Sequence, residues 1–264
     1  MSPAGSTRVE ALGTVFDLVV DDEVLCRTLA HLFHDVETDD AAAAPQIVRV
    51  TGDGPWHATS PAVEQVATDF PSALSLCMTA LNLSAIACTA TLAFHCAVLA
   101  REGAVLVMPA ASGTGKTTLC AALLQRGWDY VSDEALCLGF DDLAVRAYAR
   151  PLALSTWSAD VLGVVGTPGS GEVFVLPADL GADIARDTVE MAHLVLLARD
   201  GTTPRLDPVS RADGAAALMR NSFTQHLNAP AALAQVARLL SSATTHRLHL
   251  GDPHQAADLL TSSL

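Results

Sequence analysis

The stretch FHCAVLAREGAVLVMPAASGTGKTTLCAALLQRGWDYVSDEALCL, residues 94–138, contains the only lysine, Lys116, among the 15 lysines and arginines of the chain. It reads as an apolar strand, a polar turn at 101–103, a second apolar strand, a glycine-rich loop and a helix closed by Gly127. A further strand follows, and we expect Asp133 and Glu134 at its end. This order of elements predicts an α/β fold built around a phosphate-binding loop.

The loop AASGTGKTT, residues 110–118, departs from the pattern GxxxxGK[ST] only at its first position, where Ala110 replaces glycine. A methyl group there is tolerated if the backbone keeps a negative φ. The backbone N–H groups of such a loop bind a triphosphate with the help of the helix dipole. We expect Lys116 to bind the β and γ phosphates and Thr117 to place its hydroxyl on Mg²⁺. The predicted nucleotide-binding residues in the loop are Ala111, Ser112, Gly113, Thr114, Gly115, Lys116, Thr117 and Thr118.

Two acids and a histidine flank this loop in the sequence. A strand that ends in Asp133 and Glu134 and lies beside the loop would present an acid to the metal or to the attacking group. Acids at strand ends are also often only solvated, and spacing alone leaves both readings open. His95 lies in an apolar strand, where a histidine is commonly a core residue. Beside an aspartate near a γ-phosphate, it would instead orient that aspartate for general-base catalysis.

The order of His95, the Lys116 loop, the acid pair and the segment YARPLALS, residues 148–155, resembles the catalytic domain of the HPr kinase/phosphorylase family. It is more similar still to the shorter HPr-kinase-like proteins of gene clusters for ribosomally made peptides, including lasso-peptide kinases. The resemblance covers about residues 90 to 180. It implies a P-loop-containing, HPr kinase-like α/β domain with a mixed central sheet at 91–264. The first ninety residues match the family only weakly, and their own strand and helix patterns predict a small α+β unit at 1–90, which by its position could select the acceptor.

The resemblance also implies roles for particular residues. His95 pairs with Asp133, which acts as the base towards a serine hydroxyl, and Lys116 completes the catalytic set. Glu134 replaces the second aspartate of the family and is expected to serve Mg²⁺. Arg150 contacts phosphate or holds the strand end. The glycine-rich signature with its phosphorylase-linked arginine has no counterpart, so dephosphorylation of HPr is not predicted.

The predicted function is therefore an ATP- and Mg²⁺-dependent kinase. It would transfer the γ-phosphoryl group to a Ser or Thr hydroxyl of a peptide or small protein, such as a ribosomal natural-product precursor. Two alternatives stay open: a non-catalytic nucleotide-binding regulatory module, and a kinase of a small molecule such as free serine or a sugar. Members of the family assemble as oligomers, so the resemblance also allows a homo-oligomer.

Composition excludes several other classes of function. The net charge of −14 leaves no basic face for nucleic acid or for an anionic membrane. The six cysteines form no CxxC pair, which favours reduced thiols in the cytoplasm. The N-terminus has no signal-peptide pattern. These features predict a cytoplasmic protein without nucleic-acid or membrane partners.

Two further segments carry predictions. Residues 71–100 lack Asp, Glu, Lys and Arg, and we interpret them as a buried helix followed by a buried strand rather than as a membrane span. The helix is expected to begin near Ser60 and Pro61, as N-cap and first residue, with an interruption near Pro71. The segment Gly163–Gly171 is rich in Gly, Pro, Ser and Thr, which predicts a mobile loop that either closes over the acceptor or is a plain surface loop.

Overall fold

Two units make up the part of the chain that the structure describes. The structure is a computed structural model, and it describes residues 5–39, 44–139, 145–186, 190–201, 203–224 and 226–264. The first unit contains residues 1–90 together with the returning segments 153–159 and 165–176. The second unit contains residues 91–152, 160–164 and 177–264. The sequence pattern gave no sign that two later segments return to the first unit.

The elements are numbered in chain order. The described strands are β1 (Gly5–Ala11), β2 (Thr14–Val20), β3 (Gln46–Thr51), β4 (Trp56–Thr59), β5 (Glu64–Ala67), β6 (Leu92–Arg101), β7 (Ala104–Pro109), β8 (Asp129–Ser132), β9 (Ala135–Leu138), β10 (Val145–Arg146), β11 (Leu152–Ser155), β12 (Thr167–Pro168), β13 (Glu172–Val175), β14 (Glu190–Ala198), β15 (Arg205–Pro208) and β16 (Thr244–His249). The described α-helices are α1 (Glu23–Leu32), α2 (Phe70–Cys88), α3 (Lys116–Leu124), α4 (Thr156–Leu162), α5 (Arg211–Arg220), α6 (Ala229–Ser242) and α7 (Pro253–Ser263). Short 3₁₀ helices occupy His34–Val36 and Pro177–Leu180.

The first unit is built on a five-stranded sheet in the order β1-β2-β3-β4-β5. Strands β2 and β3 are parallel, and the other neighbours are antiparallel. Helix α1 begins after Asp22, whose carboxylate accepts a hydrogen bond from the Leu25 N–H, and it buries Leu25, Leu29 and Leu32. Helix α2 contacts β3, β4 and β5. The sheet and the two helices together give this unit an α+β arrangement.

The prediction that a helix begins at Ser60 is wrong. The Ser60 hydroxyl accepts hydrogen bonds from the N–H groups of Ala62 and Val63 and so forms a turn between β4 and β5. A Ser-Pro pair satisfies the local requirements of a helix start and of a turn equally well, and pairing of β5 with β4 decided the outcome. The helix begins instead at Phe70, capped by Asp69, with Pro71 in its first turn.

Helix α2 is the uncharged segment considered above as a membrane span. It is long and apolar enough to cross a bilayer by length and composition, but half of its apolar window is buried inside the protein. Core helices show the same combination of apolar sequence and burial. The burial agrees with the buried helix followed by a strand, β6, that the sequence predicts.

The segment predicted to be a mobile loop contains regular structure. Thr167 and Pro168 of β12 pair with Phe174 and Val173 of β13 in an antiparallel hairpin. Strand β11 joins on the other side of β13 to give a three-stranded sheet. Glycine and proline in this segment therefore mark the turns of a hairpin rather than a structureless loop.

The second unit contains an eight-stranded mixed sheet. Its order is β10-β9-β6-β7-β14-β16-β15, with β8 also paired to β6. Strands β7, β14 and β16 are parallel, and β6 is antiparallel to β7. Buried apolar side chains of β6, β7 and β14 form one core cluster with those of α5 and α6. The mixed α/β class that the sequence predicts is confirmed.

The parallel strands bring three chain segments to one edge of this sheet. The carboxyl ends of neighbouring parallel strands meet at the same edge, where ligands of α/β proteins commonly bind. Here the glycine-rich loop follows β7, Arg199 follows β14, and Leu250 follows β16. The N–H of Leu250 donates to the carbonyl of Ala198, which joins the ends of β14 and β16.

Candidate nucleotide-binding site

The loop between β7 and α3 adopts a conformation that depends on its two glycines. Gly113 has a φ of 76° and Gly115 a φ of 105°, values that side-chain-bearing residues rarely adopt. The Thr114 N–H and hydroxyl both donate to the carbonyl of Ala111, at 3.3 and 2.7 Å, and hold the turn. The loop residues Ala111, Ser112 and Gly113 are exposed. A ligand can therefore approach the loop from solvent.

Ala110, the departure from the phosphate-loop pattern, fits without strain. Among the described residues, those other than glycine that have a positive φ are Leu12 and Glu102. Ala110 therefore meets the condition set by the sequence argument, since its backbone does not need glycine. Its methyl group is packed inside the protein, with 7% of the residue exposed.

Helix α3 begins without a side-chain cap. Its N-cap is Gly115, which has no side chain to accept a hydrogen bond from the first turn. The described helices α1, α2, α5, α6 and α7 are each capped by a side chain, from Asp22, Asp69, Ser210, Asn228 and Asp252 respectively. The first N–H groups of a helix have no partner within the helix. At α3 no side chain at the N-cap accepts from these groups, and the helix dipole favours an anion there.

The Lys116 ammonium lies beneath this loop rather than in solvent. Lys116 is only 5% exposed, and its Nζ donates to the carbonyl of Ala110 at 2.8 Å. A second contact joins Nζ to Nε2 of His95 at 3.0 Å. An ammonium group can only donate, so Nε2 of His95 must be the unprotonated nitrogen. Burial lowers the pKa of Lys116, while the charge of Glu134 acts in the opposite direction.

His95 reaches the loop because β6 runs antiparallel to β7. Cys96 pairs with Pro109, the last residue of β7, so His95 lies beside the start of the loop. The His95 N–H donates to the carbonyl of Asn221, and its ring packs against Phe223 with the centroids 5.4 Å apart. Burial lowers the pKa of His95, and the neighbouring Lys116 charge lowers it further. Both effects favour the neutral imidazole that accepts from Lys116.

Asp133 and Glu134 lie between two short strands rather than at the end of one. Strand β8 pairs Ser132 with Val98, and β9 pairs Ala135 with His95. Ser132 and Ala135 are three residues apart, and so are their partners Val98 and His95, so the register with β6 continues through the acids. The Ser132 hydroxyl accepts from the N–H groups of Glu134 and Ala135 at 3.1 and 3.0 Å.

The two acids have different surroundings. The Asp133 side chain has no exposed surface, and its Oδ1 accepts from the Tyr130 hydroxyl at 2.9 Å and lies 3.3 Å from Nη2 of Arg150. The Glu134 side chain is 17% exposed, and its Oε2 accepts from Arg150 at 3.1 Å. Its Oε1 lies 3.9 Å from Nε2 of His95. The carboxylate next to His95 is thus that of Glu134, whereas the family resemblance implied Asp133.

Arg150 links the two acids. The Tyr148 N–H donates to the carbonyl of Val131, which lays the segment before β11 alongside β8. Burial by itself would lower the pKa of Arg150, but the carboxylates of Asp133 and Glu134 outweigh burial and raise it. Arg150 therefore remains charged and holds both carboxylates. Of the two roles expected for it, fixing the local structure is the one that these contacts support.

Arg199, which follows β14, is a site residue that the sequence pattern did not predict. Its Nη1 donates to the carbonyl of Gly113 at 2.9 Å, and of the described residues only Gly113 accepts a hydrogen bond from it. Arg199 is exposed, so its other N–H groups can reach a ligand at the loop. The signal was present, because an arginine directly after an apolar parallel strand lies at the ligand-binding edge of the sheet. The sequence does not show that β14 lies next to β7, and only this strand order places Arg199 at the same edge as the glycine-rich loop.

The site thus combines three basic side chains, Lys116, Arg150 and Arg199, and two carboxylates with the start of an uncapped helix. Among the described residues, no group of three or more His, Cys, Asp or Glu side chains is arranged to hold a metal ion. Mg²⁺ needs no such cage, since it is commonly held by one or two protein oxygens together with substrate phosphates. Thr117, in the first turn of α3, and Glu134 are the protein oxygens that fit this mode of binding.

A comparison of the chain with models of known protein families finds no match, and a comparison with curated proteins finds none either.

Proposed function

We propose that this protein is an ATP-dependent kinase that transfers the γ-phosphoryl group to a Ser or Thr hydroxyl of a peptide or small protein. One observation carries the proposal: a glycine-shaped loop leads into the only uncapped long helix of the described chain, and the only lysine of the sequence lies buried directly beneath it. Among the described residues, the hydrogen-bond partners of this buried ammonium are carbonyls and a histidine, which leaves its charge able to bind an anion. A polyphosphate at the helix N-terminus supplies that anion.

ATP would bind at the loop and at the N-terminus of α3, which has no side-chain cap. Lys116 would exchange its contact with the Ala110 carbonyl for the β and γ phosphates, and Arg199 would exchange the Gly113 carbonyl for a phosphate oxygen. Thr117 would hold Mg²⁺ together with the phosphates. When bound, Mg²⁺ neutralises charge on the transferring phosphoryl group and its leaving group.

Glu134 is the group best placed to accept the proton of the attacking hydroxyl. Arg150 holds Oε2 of Glu134, which leaves Oε1 for the proton. The hydroxyl oxygen forms a bond to the γ phosphorus, the bond from that phosphorus to the bridging oxygen of ADP breaks, and the hydroxyl proton passes to Oε1. Neutral His95, 3.9 Å from Oε1, keeps the site free of an additional positive charge that would hold Glu134 away from the acceptor.

Asp133 then acts as a positioning residue. A general base must come within hydrogen-bond reach of the proton that it removes. The Asp133 side chain has no exposed surface, so it acts by fixing Arg150 and, through Arg150, the orientation of Glu134. If instead Glu134 is the metal ligand that the family resemblance implies, loss of its carboxylate will raise the Mg²⁺ requirement.

The test is transfer of labelled phosphate from ATP, with Mg²⁺, to the peptides encoded beside the gene of this protein, read by intact mass. Wild-type protein should add one phosphoryl group to a peptide, Lys116→Ala should not, and the exposed variant Arg27→Ala serves as the matched control. An unchanged transfer rate in Lys116→Ala would rule out the proposal. Hydrolysis of ATP without a labelled acceptor supports the nucleotide-binding module, and label in the low-molecular-weight fraction supports a small-molecule kinase.

A further inference from the structure

The first unit ends in an unprotected edge strand. Strand β5 is the last strand of the five-stranded sheet, and β4 is the only strand paired with it among the described residues. Its residues Glu64, Gln65 and Val66 are exposed, and Val66 keeps 55% of its surface in solvent. Natural edge strands are commonly blocked by proline, lysine or a bulge. Strand β5 is short and carries one charge, Glu64, but it has no proline, lysine or bulge, so its outer backbone groups are open to an added strand.

The hydrogen-bond pattern shows which backbone groups of β5 are free. The Ser60 N–H donates to the carbonyl of Val63 at 2.8 Å and closes the hairpin between β4 and β5. Bonded and non-bonded pairs alternate along an antiparallel ladder. Gln65 and Ala67 therefore exchange bonds with β4, while Glu64 and Val66 direct their N–H and C=O groups away from it. The outer edge thus offers two donors and two acceptors.

A cavity of about 270 Å³ lies between this strand and helix α2. Residues Gln65–Ala67 border it on one side, and Ser72, Ser75 and Thr79 of α2 border it on the other. The helical residues are spaced so that their hydroxyls share one face. Leu76 adds an apolar surface. The cavity can accept a side chain from a strand that pairs with β5.

Three acids adjoin residues that border this cavity, although none of the three is part of its lining. Glu64 belongs to β5, Asp69 caps α2, and Glu172 accepts a hydrogen bond from the Ser75 hydroxyl at 2.6 Å. No lysine or arginine is among the residues that border the cavity. A segment with basic side chains complements this acidic margin. A second copy of the chain does not, because both molecules would carry a net charge of −14 and the same acidic residues around the strand.

We propose that β5 and this cavity bind an extended segment of a peptide that carries a basic side chain, and that the segment adds to the sheet as a sixth strand. Main-chain bonds to Glu64 and Val66 supply affinity, and the cavity supplies side-chain preference. The inference rests on the proposed function in one respect, since it takes the bound peptide to be the kinase's acceptor. The binding itself requires neither ATP nor Lys116.

The test uses peptides selected from a random library displayed on phage, with the full-length protein as bait, and then made synthetically with a fluorophore. Val66→Pro removes one outward N–H, and an edge strand tolerates proline at such a position. Val66→Thr keeps the N–H and the β-branched shape. We expect Val66→Pro to weaken binding in fluorescence anisotropy by about ten-fold or more and Val66→Thr by less than about two-fold.

Hydrogen exchange gives a second measurement that needs no variant. The amides of Glu64 and Val66 should exchange more slowly when peptide is bound, because they then donate to it. Equal affinity of Val66→Pro and wild type, unchanged exchange at both amides, or enrichment of acidic rather than basic peptides would overturn the proposal. If the wild type sediments as a dimer and Val66→Pro as a monomer, the strand is covered by a second copy of the chain and the proposal is overturned.

Further variants separate this inference from the kinase proposal. Lys116→Ala should bind the peptides as wild type does, and Val66→Pro should bind ATP as wild type does. If the wild type binds peptide as expected but Lys116→Ala still transfers phosphate at the wild-type rate, the kinase proposal alone is refuted. If Lys116→Ala loses phosphate transfer but Val66→Pro binds peptide as tightly as the wild type, the strand-addition site alone is refuted.

Discussion

Replacing Glu134 with glutamine should remove the base while keeping the shape of the side chain. Oε1 of Glu134 is the carboxylate oxygen without a tight partner, since Oε2 is held by Arg150 and His95 lies 3.9 Å from Oε1. An amide cannot take up the acceptor's proton, and loss of a general base typically costs about 10²- to 10⁴-fold in rate. That loss corresponds to about 3–5 kcal/mol of transition-state stabilisation. Folding should change little, because Arg150 keeps its contact with Asp133.

The matched variant Asp133→Asn should lose more folding stability and less transfer rate than Glu134→Gln. The Asp133 side chain has no exposed surface and contacts both Tyr130 and Arg150. Removing one partner of a buried ion pair costs about 3–5 kcal/mol of folding free energy. In a chain of this size each kcal/mol lowers the melting temperature by about 2–4 °C. We expect a clear fall in melting temperature and, for the protein that stays folded, a smaller loss of rate than in Glu134→Gln.

Single-turnover phosphate transfer over a range of Mg²⁺ concentrations, together with thermal unfolding, separates the roles. A base is needed at every Mg²⁺ concentration, so excess Mg²⁺ should leave Glu134→Gln slow. Recovery of Glu134→Gln in excess Mg²⁺ would show that its carboxylate is a metal ligand. If Asp133→Asn abolishes transfer at an unchanged melting temperature while Glu134→Gln stays active, the reasoning is refuted and Asp133 is the base.

Three further predictions concern the loop and its neighbours. The pKa of His95 is lowered by burial and then by Lys116, so neutral His95 stabilises the fold above its unfolded pKa of about 6.5, and this contribution is lost as the pH falls through the lower folded value. In urea titrations, the free energy of unfolding of the wild type should therefore fall more between about pH 7 and pH 5 than that of His95→Gln. An equal fall in the two proteins would contradict this. Gly115→Ala places a side chain at a φ of 105°, so it should lower the free energy of unfolding by about 1–2 kcal/mol and also weaken ATP binding. Ala110→Gly should leave ATP affinity within about two-fold of wild type. Equal effects of the two substitutions would count against the loop geometry. Arg199→Ala should weaken ATP binding about ten-fold in calorimetry without lowering the melting temperature, since Arg199 is exposed, and the control Arg27→Ala should match wild type; a loss of stability instead would make Arg199 a structural residue.

The conformation of the glycine-rich loop before α3 could be predicted from sequence because its requirements are local. Gly113 and Gly115 supply backbone angles that other residues avoid, and the lysine follows at the start of a helix. The neighbouring strand of His95 was predictable for a similar reason, since apolar runs of this length read as buried strands. The start of α2 was not predictable, because Ser60 satisfies a turn as well as a helix start and only pairing of β5 with β4 distinguishes them.

What the sequence by itself determined is the set of local conformations: the glycine-dependent loop, the helix that begins at Lys116 and the strands on either side. What only the tertiary structure decided is which side chains meet. The register of β6 with β8 and β9 put Glu134, rather than Asp133, beside His95, and strand order put Arg199 at the loop. The reason is physical: backbone angles depend on the residue and its immediate neighbours, whereas contacts between strands depend on register, which burial of distant side chains sets.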